Sequence, residues 1–307
     1  MGPMDQERAL LDLLGLLDPD PEPAPDRSDG ERFLGRPPLE RSSPVYGGHV
    51  AAQALAAAGR TVSAGLAVHS VHCSFLRPAL PTVPFDHGVE RVRDSGSFAT
   101  RRVHTTQRGR EVFTLTASFH RPEPGLGHQD PMPPVPDPEC LPTYEERLTK
   151  AFGEVTQSLG KPYELRFVGP LSFDAEKDRS QVSSRTQVWV RAKGDVPSEA
   201  TADRERLLHA CLLVYVCDVT MLETVLVRHG VSWFHATGWS IDYTVWIHRA
   251  FRVDDWLLCA LETPVASGGR GLVLGRVFTR EGVLVATLAQ EGLIRIRDGR
   301  DGQGALG

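Results

Sequence analysis

Lysine is scarce in this chain: four of its 34 basic residues are Lys and the others are Arg. Against 39 acidic residues the formal net charge is −5, and no basic block stands out. Nucleic acid is thereby excluded as the main partner. Cysteine is also sparse. Cys73, Cys140, Cys211, Cys217 and Cys259 are widely spread, with no CxxC pair and no mixed His/Cys ligand spacing. Four of them lie in apolar runs, as buried free thiols of a reducing compartment do. No apolar run approaches about 18 residues, so no membrane partner or span is expected. The opening stretch MGPMDQERALLDLLGLL carries acid where a secretory signal carries basic residues, which makes the cytoplasm the expected location. GxSxG, GxGxxG and the phosphate-loop pattern are all missing. His69 and His72 have no Cys or carboxylate at ligand spacing, so neither a metal nor a redox cofactor is expected.

What is present suffices for about two ordinary domains with real cores. Asp5–Leu17 has the pattern of a short amphipathic helix, ended by PDPEPAPDRSDG. Gly47-Gly48 then precedes an Ala-rich helix running to about Thr61. Two glycines at a helix start serve a plain turn, or let a ligand's polar atoms approach unpaired N–H groups. Strand patterns follow in VHSVHCSFLRPA, PFDHGVERVRD, SFATRRVHTTQ and EVFTLTASFHR, with a turn at Gly109. In the last, Phe113, Leu115, Ala117 and Phe119 alternate with small polar residues, marking one buried face. Eight prolines between Arg121 and Pro142 make an extended, exposed linker. A polar helix over about Tyr144–Leu159, strands in YELRFVG and RTQVWVRAKG, and a long apolar helix come next.

Beyond that helix the first half repeats. WSIDYTVWIHRAF matches VHSVHCSFLRPA, and the strands after it match those after the first. The hairpin glycines Gly109 and Gly282 are 173 residues apart, and Arg77 and Arg249, in LRPA and HRAF, are 172 apart. The expected architecture is therefore α+β: two tandem units, each a long helix packed on an antiparallel sheet. Their limits are 1–120 for the N-terminal unit, 121–160 for linker and polar helix, 161–298 for the C-terminal unit, and 299–307 for a tail.

Two residues stand out against this frame. Asp218 sits amid LLHACLLVYVCDVTMLETVL, with Val214, Tyr215, Met221 and Leu222 one turn away. An ionised group in such surroundings is costly unless it is paired or used; a partly exposed carboxylate on a core helix is the other reading. Shifted by 173, the inward Ala117 falls on Gln290, and an amide on an apolar face needs partners. A helix carboxylate, an inward Gln and the strand bearing Ser240 can meet where helix and sheet pack. Such a set suits hydrolysis through an activated water. Asp242 and His248 are spaced one residue too far, and lack the Asn-Pro, for the motif of double-hotdog enoyl hydratases.

The segments YGGHVAAQAL, VHSVHCSFLRP, SGSFATRRVHTTQRGREVFTLTASFHRPE, QVWVRAKGDVP and RGLVLGRVFTREGVLVATLAQEG, in this order around a Pro-rich linker, resemble the type II acyl-CoA thioesterase (TesB-like) family. The resemblance runs from about Phe33 to Arg297. It implies a double-hotdog fold, hydrolysis of acyl-CoA to free acid and CoA, no cofactor, and a homo-oligomer. It also implies catalytic roles for Asp218, Ser240 and Gln290, with Gly47, Gly48 and His49 as substrate-binding positions. His49 and Tyr243-Thr244-Val245 depart from the family's usual residues, which bears on acyl preference rather than on the reaction. The alternative is a non-catalytic acyl-CoA binding or regulatory protein on the same fold. Because Ala117 stands where Gln290 would be needed, one productive site is expected, in the second unit alone.

Overall fold

The computed structural model describes residues 3–22, 30–38, 44–153 and 161–297. Its helices are α1 (Pro3–Leu16), α2 (Gly47–Arg60), α3 (Tyr144–Phe152), α4 (Ser172–Lys177) and α5 (Ala202–His229). The first strands are β1 (Asp20–Glu22), β2 (Gly30–Gly35), β3 (Ala67–Phe75), β4 (Phe85–Asp94), β5 (Phe98–Gln107) and β6 (Arg110–His120). The second half supplies β7 (Tyr163–Phe167), β8 (Arg185–Ala192), β9 (Ala236–Ile247), β10 (Leu257–Ser267), β11 (Arg270–Thr279) and β12 (Leu284–Ile296). All twelve form one antiparallel sheet in the order β1-β2-β4-β5-β6-β3-β9-β12-β11-β10-β8-β7.

The two halves join at β3 and β9, where His72 is opposite Thr244 and Ser70 opposite Trp246. His72 and Thr244 are 172 residues apart, the same offset as Arg77 and Arg249. A strand that meets its own repeat at that register lies on a local two-fold axis. Each half closes with a tight hairpin. Between β5 and β6 Arg108 and Gly109 have φ of 51° and 72°, as a type I′ turn requires.

α2 and α5 pack against each other and against the sheet. Ala51, Ala52, Ala54, Ala57 and Ala58 are fully buried, because small side chains let α2 fit between sheet and partner helix. α5 begins at Thr201, whose side chain accepts from the Arg204 N–H, and stops at Gly230 in the left-handed conformation. By length and apolar character α5 could cross a membrane, which corrects the expectation of no such stretch. Most of it is buried inside this fold instead, as the core helix of the second half.

Three further differences have physical causes. β1 forms inside the Asp- and Pro-rich sequence read as a breaker; it is the edge strand, bonded on one side only, to β2. The linker is extended but not free. Its Pro136 carbonyl accepts from Trp189 Nε1 at 3.0 Å, its Pro138 and Leu141 carbonyls accept from Arg166, and Gln129 pairs with Gly282 and Leu284. Prolines cannot join a ladder as donors, yet their carbonyls still accept. The linker is thereby tied to the second half, with Met132 and Val135 packed on Trp189, Trp256 and Phe278. The polar helix ends at Phe152 with Gly153 as its cap, and the rest of its expected length lies outside the described residues.

Candidate active site

Asp218 lies at the middle of α5 on the side facing α2. Its Oδ1 accepts from Ser240 Oγ at 3.0 Å and from Gln290 Nε2 at 2.5 Å. Its Oδ2 accepts from the Gly48 backbone N–H at 2.9 Å. Gln290 Nε2 also donates to Ser240 Oγ, at 2.9 Å. The three residues separated by up to 72 positions are therefore brought into mutual contact, as the sequence pattern allowed.

Each arrives for a local reason. Gln290 on β12 is opposite Tyr243 on β9 and Val273 on β11, all three fully buried. Tyr243 and Val245 point inward, so strict alternation would send Ile241 inward next. A bulge intervenes: Glu291 is opposite Asp242 and Gly292 is opposite Ser240, leaving Ile241 as the extra residue. The bulge shifts the parity and aims Ser240 at Asp218.

The glycine pair acts differently from the expectation. Gly48 gives its N–H to Asp218, so a first-turn donor of α2 is satisfied by the chain's own carboxylate at a favourable helix end. It also permits close approach: a Cβ on Gly48 would stand 2.6 Å from the Tyr215 carbonyl oxygen and 2.7 Å from the Tyr46 ring. Tyr46 donates its hydroxyl to that same carbonyl, clamping α2 to α5. Gly47 lines the cavity beside Asp218. His49 does not belong to the site, which corrects its expected substrate role. Its ring is buried near Phe85 and shares a hydrogen bond with the Arg36 carbonyl, because the side chain leaves α2 on another face.

Gly48→Ala is accordingly expected to lower turnover by at least about tenfold and to destabilise the fold by about 1–3 kcal/mol, the usual range for overpacking. Thiol release and thermal melting measure the two effects. An unchanged rate and melting temperature would mean that the helix contact is looser than this geometry.

Asp218 opens onto a cavity of about 570 Å³. Its walls are mostly apolar and come from both halves, with Phe75 and Phe113 from the first and Leu222, Trp233 and Trp239 from the second. Arg77 and Arg295 also line it. The expectation of a site in the second unit alone is therefore corrected. The trio belongs to that unit, but the cavity is completed across the seam between β3 and β9. Trp233 was not foreseen. Its Nε1 donates to buried Glu223 at 2.6 Å, which also accepts from the Ser172 N–H at 2.6 Å. Glu223 thus fixes the indole against the cavity, and α4 is tied to α5 by the same carboxylate.

Burial pushes the Asp218 carboxyl above its ordinary range, while the bonds from Ser240, Gln290 and Gly48 pull it back. Burial likewise raises Tyr46 well above the ordinary phenol value, so its hydroxyl stays a donor. Among the described residues no group of three His, Cys, Asp or Glu side chains is placed to hold a metal ion.

Comparison with known proteins gives the chain its family. Residues 37–120 match the model of an acyl-CoA thioesterase N-terminal domain, and residues 130–294 that of an acyl-CoA thioesterase C-terminal domain. The chain is 34% identical over 285 residues to human acyl-coenzyme A thioesterase 8, covering 88% of this chain and 86% of that one. It is 33% identical to acyl-CoA thioesterase 2 of Haemophilus influenzae, covering 83% and 88% respectively. The crystal structure of acyl-CoA thioesterase II TesB2 from Mycobacterium marinum superposes with a TM-score of 0.73 at 35% identity, covering 94% of this chain and 99% of that one. A hot dog fold protein from Alicyclobacillus acidocaldarius, at 22% identity and a TM-score of 0.69, shares the fold. The chain is a member of the acyl-CoA thioesterase family, with the double-hotdog fold.

Proposed function

We propose that the chain hydrolyses acyl-CoA thioesters to a free carboxylic acid and CoA, with Asp218 as general base toward a water held by Ser240 and Gln290. One observation carries the assignment of roles. Gln290 is fully buried and both of its amide hydrogens are used, yet its Oε1 has no partner. Turning the amide over would set that oxygen against the Asp218 carboxylate, so the orientation is determined by the charge. This orphaned acceptor lies behind Asp218 and Ser240, which line the cavity while Gln290 does not, and a water entering beside the carboxylate would give it a second hydrogen.

In this reading the water oxygen attacks the thioester carbon while Asp218 takes its proton. The carbonyl oxygen becomes an oxyanion. Gln290 has no hydrogen left for it, and the Gly48 and His49 N–H groups donate to Asp218 and the Tyr46 carbonyl. Stabilisation therefore falls to the Gly47 N–H, at the start of α2 on the cavity. The C–S bond then breaks, the thiolate leaves as CoA and takes up a proton, and the acid is released. The apolar walls between Phe75 and Trp239 suit the acyl chain. Buried thiols without disulfides favour a reducing compartment such as the cytoplasm. Part-exposed Phe234 and Trp246 offer apolar surface for the homo-oligomer we expect.

A thiol-release assay over a panel of acyl-CoAs tests the reading. Steady release that depends on chain length is expected; binding without release would turn it into the non-catalytic alternative. Ser240 refines it. The hydroxyl donates to Asp218 and can accept from water, so Ser240→Thr is expected to stay active, any loss coming from the added methyl. Ser240→Ala is expected to lose about 10–100-fold, because Gln290 still holds the water. An active Ala variant beside a dead Thr variant would reduce Ser240 to a packing position.

A further inference from the structure

The offset that relates the two halves also relates two cavities. The second has about 300 Å³ and lies across the local two-fold axis from the first. Arg249 and Ile247 line it where Arg77 and Phe75 line the first, each 172 residues on. Val68 stands for Ser240 by the same shift, and His120 stands for Leu293 by 173. Backbone details repeat too. Arg77 Nη1 donates to the Glu111 carbonyl and Arg249 Nη1 to the Leu284 carbonyl, again 173 apart. Both strands carry a bulge, with His69 as the extra residue where Ile241 is in the other half.

The chemistry of this second cavity has changed. Val68 has no hydroxyl, and Ala117 stands where Gln290 would be, so the hydroxyl and amide of the first site have no counterparts there. What it keeps is positive charge, which the first cavity also has in Arg77 and Arg295. Arg206 on α5 lines it with no ion pair or hydrogen bond among the described residues. Arg249 uses Nη1 on a carbonyl and has no carboxylate partner there. His69, His120 and His248 add ring nitrogens, with His69 bonded to Ser118 and His248 to Thr287 at 2.8 Å each. The one carboxylate in the lining, Glu123, pairs with His120 at 3.5 Å. Burial holds His69 and His248 below the ordinary imidazole range, so the standing positive charge is that of the two guanidinium groups, opposed by Glu123 beside His120. Val68, Ile247 and Phe251 supply apolar wall.

We propose that this cavity is a second, non-catalytic ligand site that binds a phosphate-bearing molecule of the CoA class through Arg206 and Arg249. Paired guanidinium groups without carboxylate partners match phosphate oxygens better than any neutral ligand. The choice of CoA rests on the reaction proposed above, which supplies CoA esters and CoA to any site able to hold them. Each chain then has two unequal sites, one that hydrolyses and one that only binds.

Calorimetric titration of the full chain with a non-hydrolysable acyl-CoA thioether tests this. Two sites per chain are expected, and Arg206→Ala is expected to weaken one of them by at least about tenfold while leaving kcat and KM in the ordinary assay unchanged. NMR of the histidine ring protons gives an independent readout: CoA should shift those of His69, His120 and His248, in wild type but not in Arg206→Ala. One site per chain, or two sites both indifferent to Arg206→Ala, overturns the second site and leaves the hydrolysis intact. No binding at all overturns the reaction as well. Inorganic phosphate and a long-chain fatty acid serve as separate probes. If the fatty acid shifts those histidines and CoA does not, the cavity is a carboxylate site and the proposal is wrong.

Discussion

Asp218→Asn is expected to keep the fold and to lower turnover by about 10²–10⁴-fold, the range for removing a general base. The fold should survive because the amide can be accommodated. With its oxygen toward the Gly48 N–H, its nitrogen faces Ser240, which can accept, and Gln290, which can turn its own oxygen inward. Stability should even rise slightly near neutral pH. A folded-state pKa above the unfolded value stabilises the fold below the unfolded value, and that contribution is lost as pH rises through the folded one. At neutral pH the wild-type protein therefore bears the cost of a buried carboxylate, and the Asn variant does not. The same raised pKa sets the rate profile. Activity should fall as pH drops through the Asp218 pKa, so its acid limb should lie above the ordinary Asp range. Thiol release from pH 4 to 8, with thermal melting of both proteins, checks all three points. A folded Asn variant with near-normal turnover would remove Asp218 from the mechanism.

How far such a site can be read from sequence differs residue by residue. Asp218 was legible because a carboxylate at the centre of five apolar turns violates the cost of burying charge. Gln290 was legible because the internal repeat sets it against Ala117 at the same inward position. For Ser240 the packing of helix on sheet allowed a meeting, and the family resemblance assigned the role: the parity of β9 changes at Ile241, and no periodicity in WSIDYTVW announces that bulge. The bond from Gly48 depends on how two helices distant in sequence pack. Gly47-Gly48 therefore indicated free N–H donors without showing that the chain itself would take one. His49 was misplaced for a related reason. A helix buried on nearly every side offers no polar face from which the cavity side can be inferred. Trp233 and Glu223 escaped notice because a buried carboxylate on the same helix as Asp218 makes no distinct pattern by itself. The Pro-rich linker announced its extended shape correctly, but its bonds to Trp189 and Arg166 rest on carbonyls that every residue has.

Gln290→Glu is expected to reduce turnover at neutral pH by about 10²–10³-fold, although it changes one amide nitrogen to oxygen. The substitution sets a second carboxyl beside Asp218 Oδ1, where the Gln290 amide now stands 2.5 Å away. Two carboxylates at that separation in a buried site cannot both ionise, so the pair retains one proton. That proton sits between the oxygens, and it occupies the lone pairs of the intended base. The sign of the pH effect follows. Wild-type activity is lost when Asp218 gains its one proton, at acid pH. The variant recovers only when the shared proton leaves, so its rising limb should move toward alkaline pH. A change in packing alone would lower the rate at every pH without moving the limb. Comparing pH profiles of kcat for the two proteins therefore separates the electrostatic account from a steric one. If the Glu variant keeps both its rate and its profile, the amide does not touch Asp218 in the working enzyme. The orphaned Oε1 would then have no claim on the water.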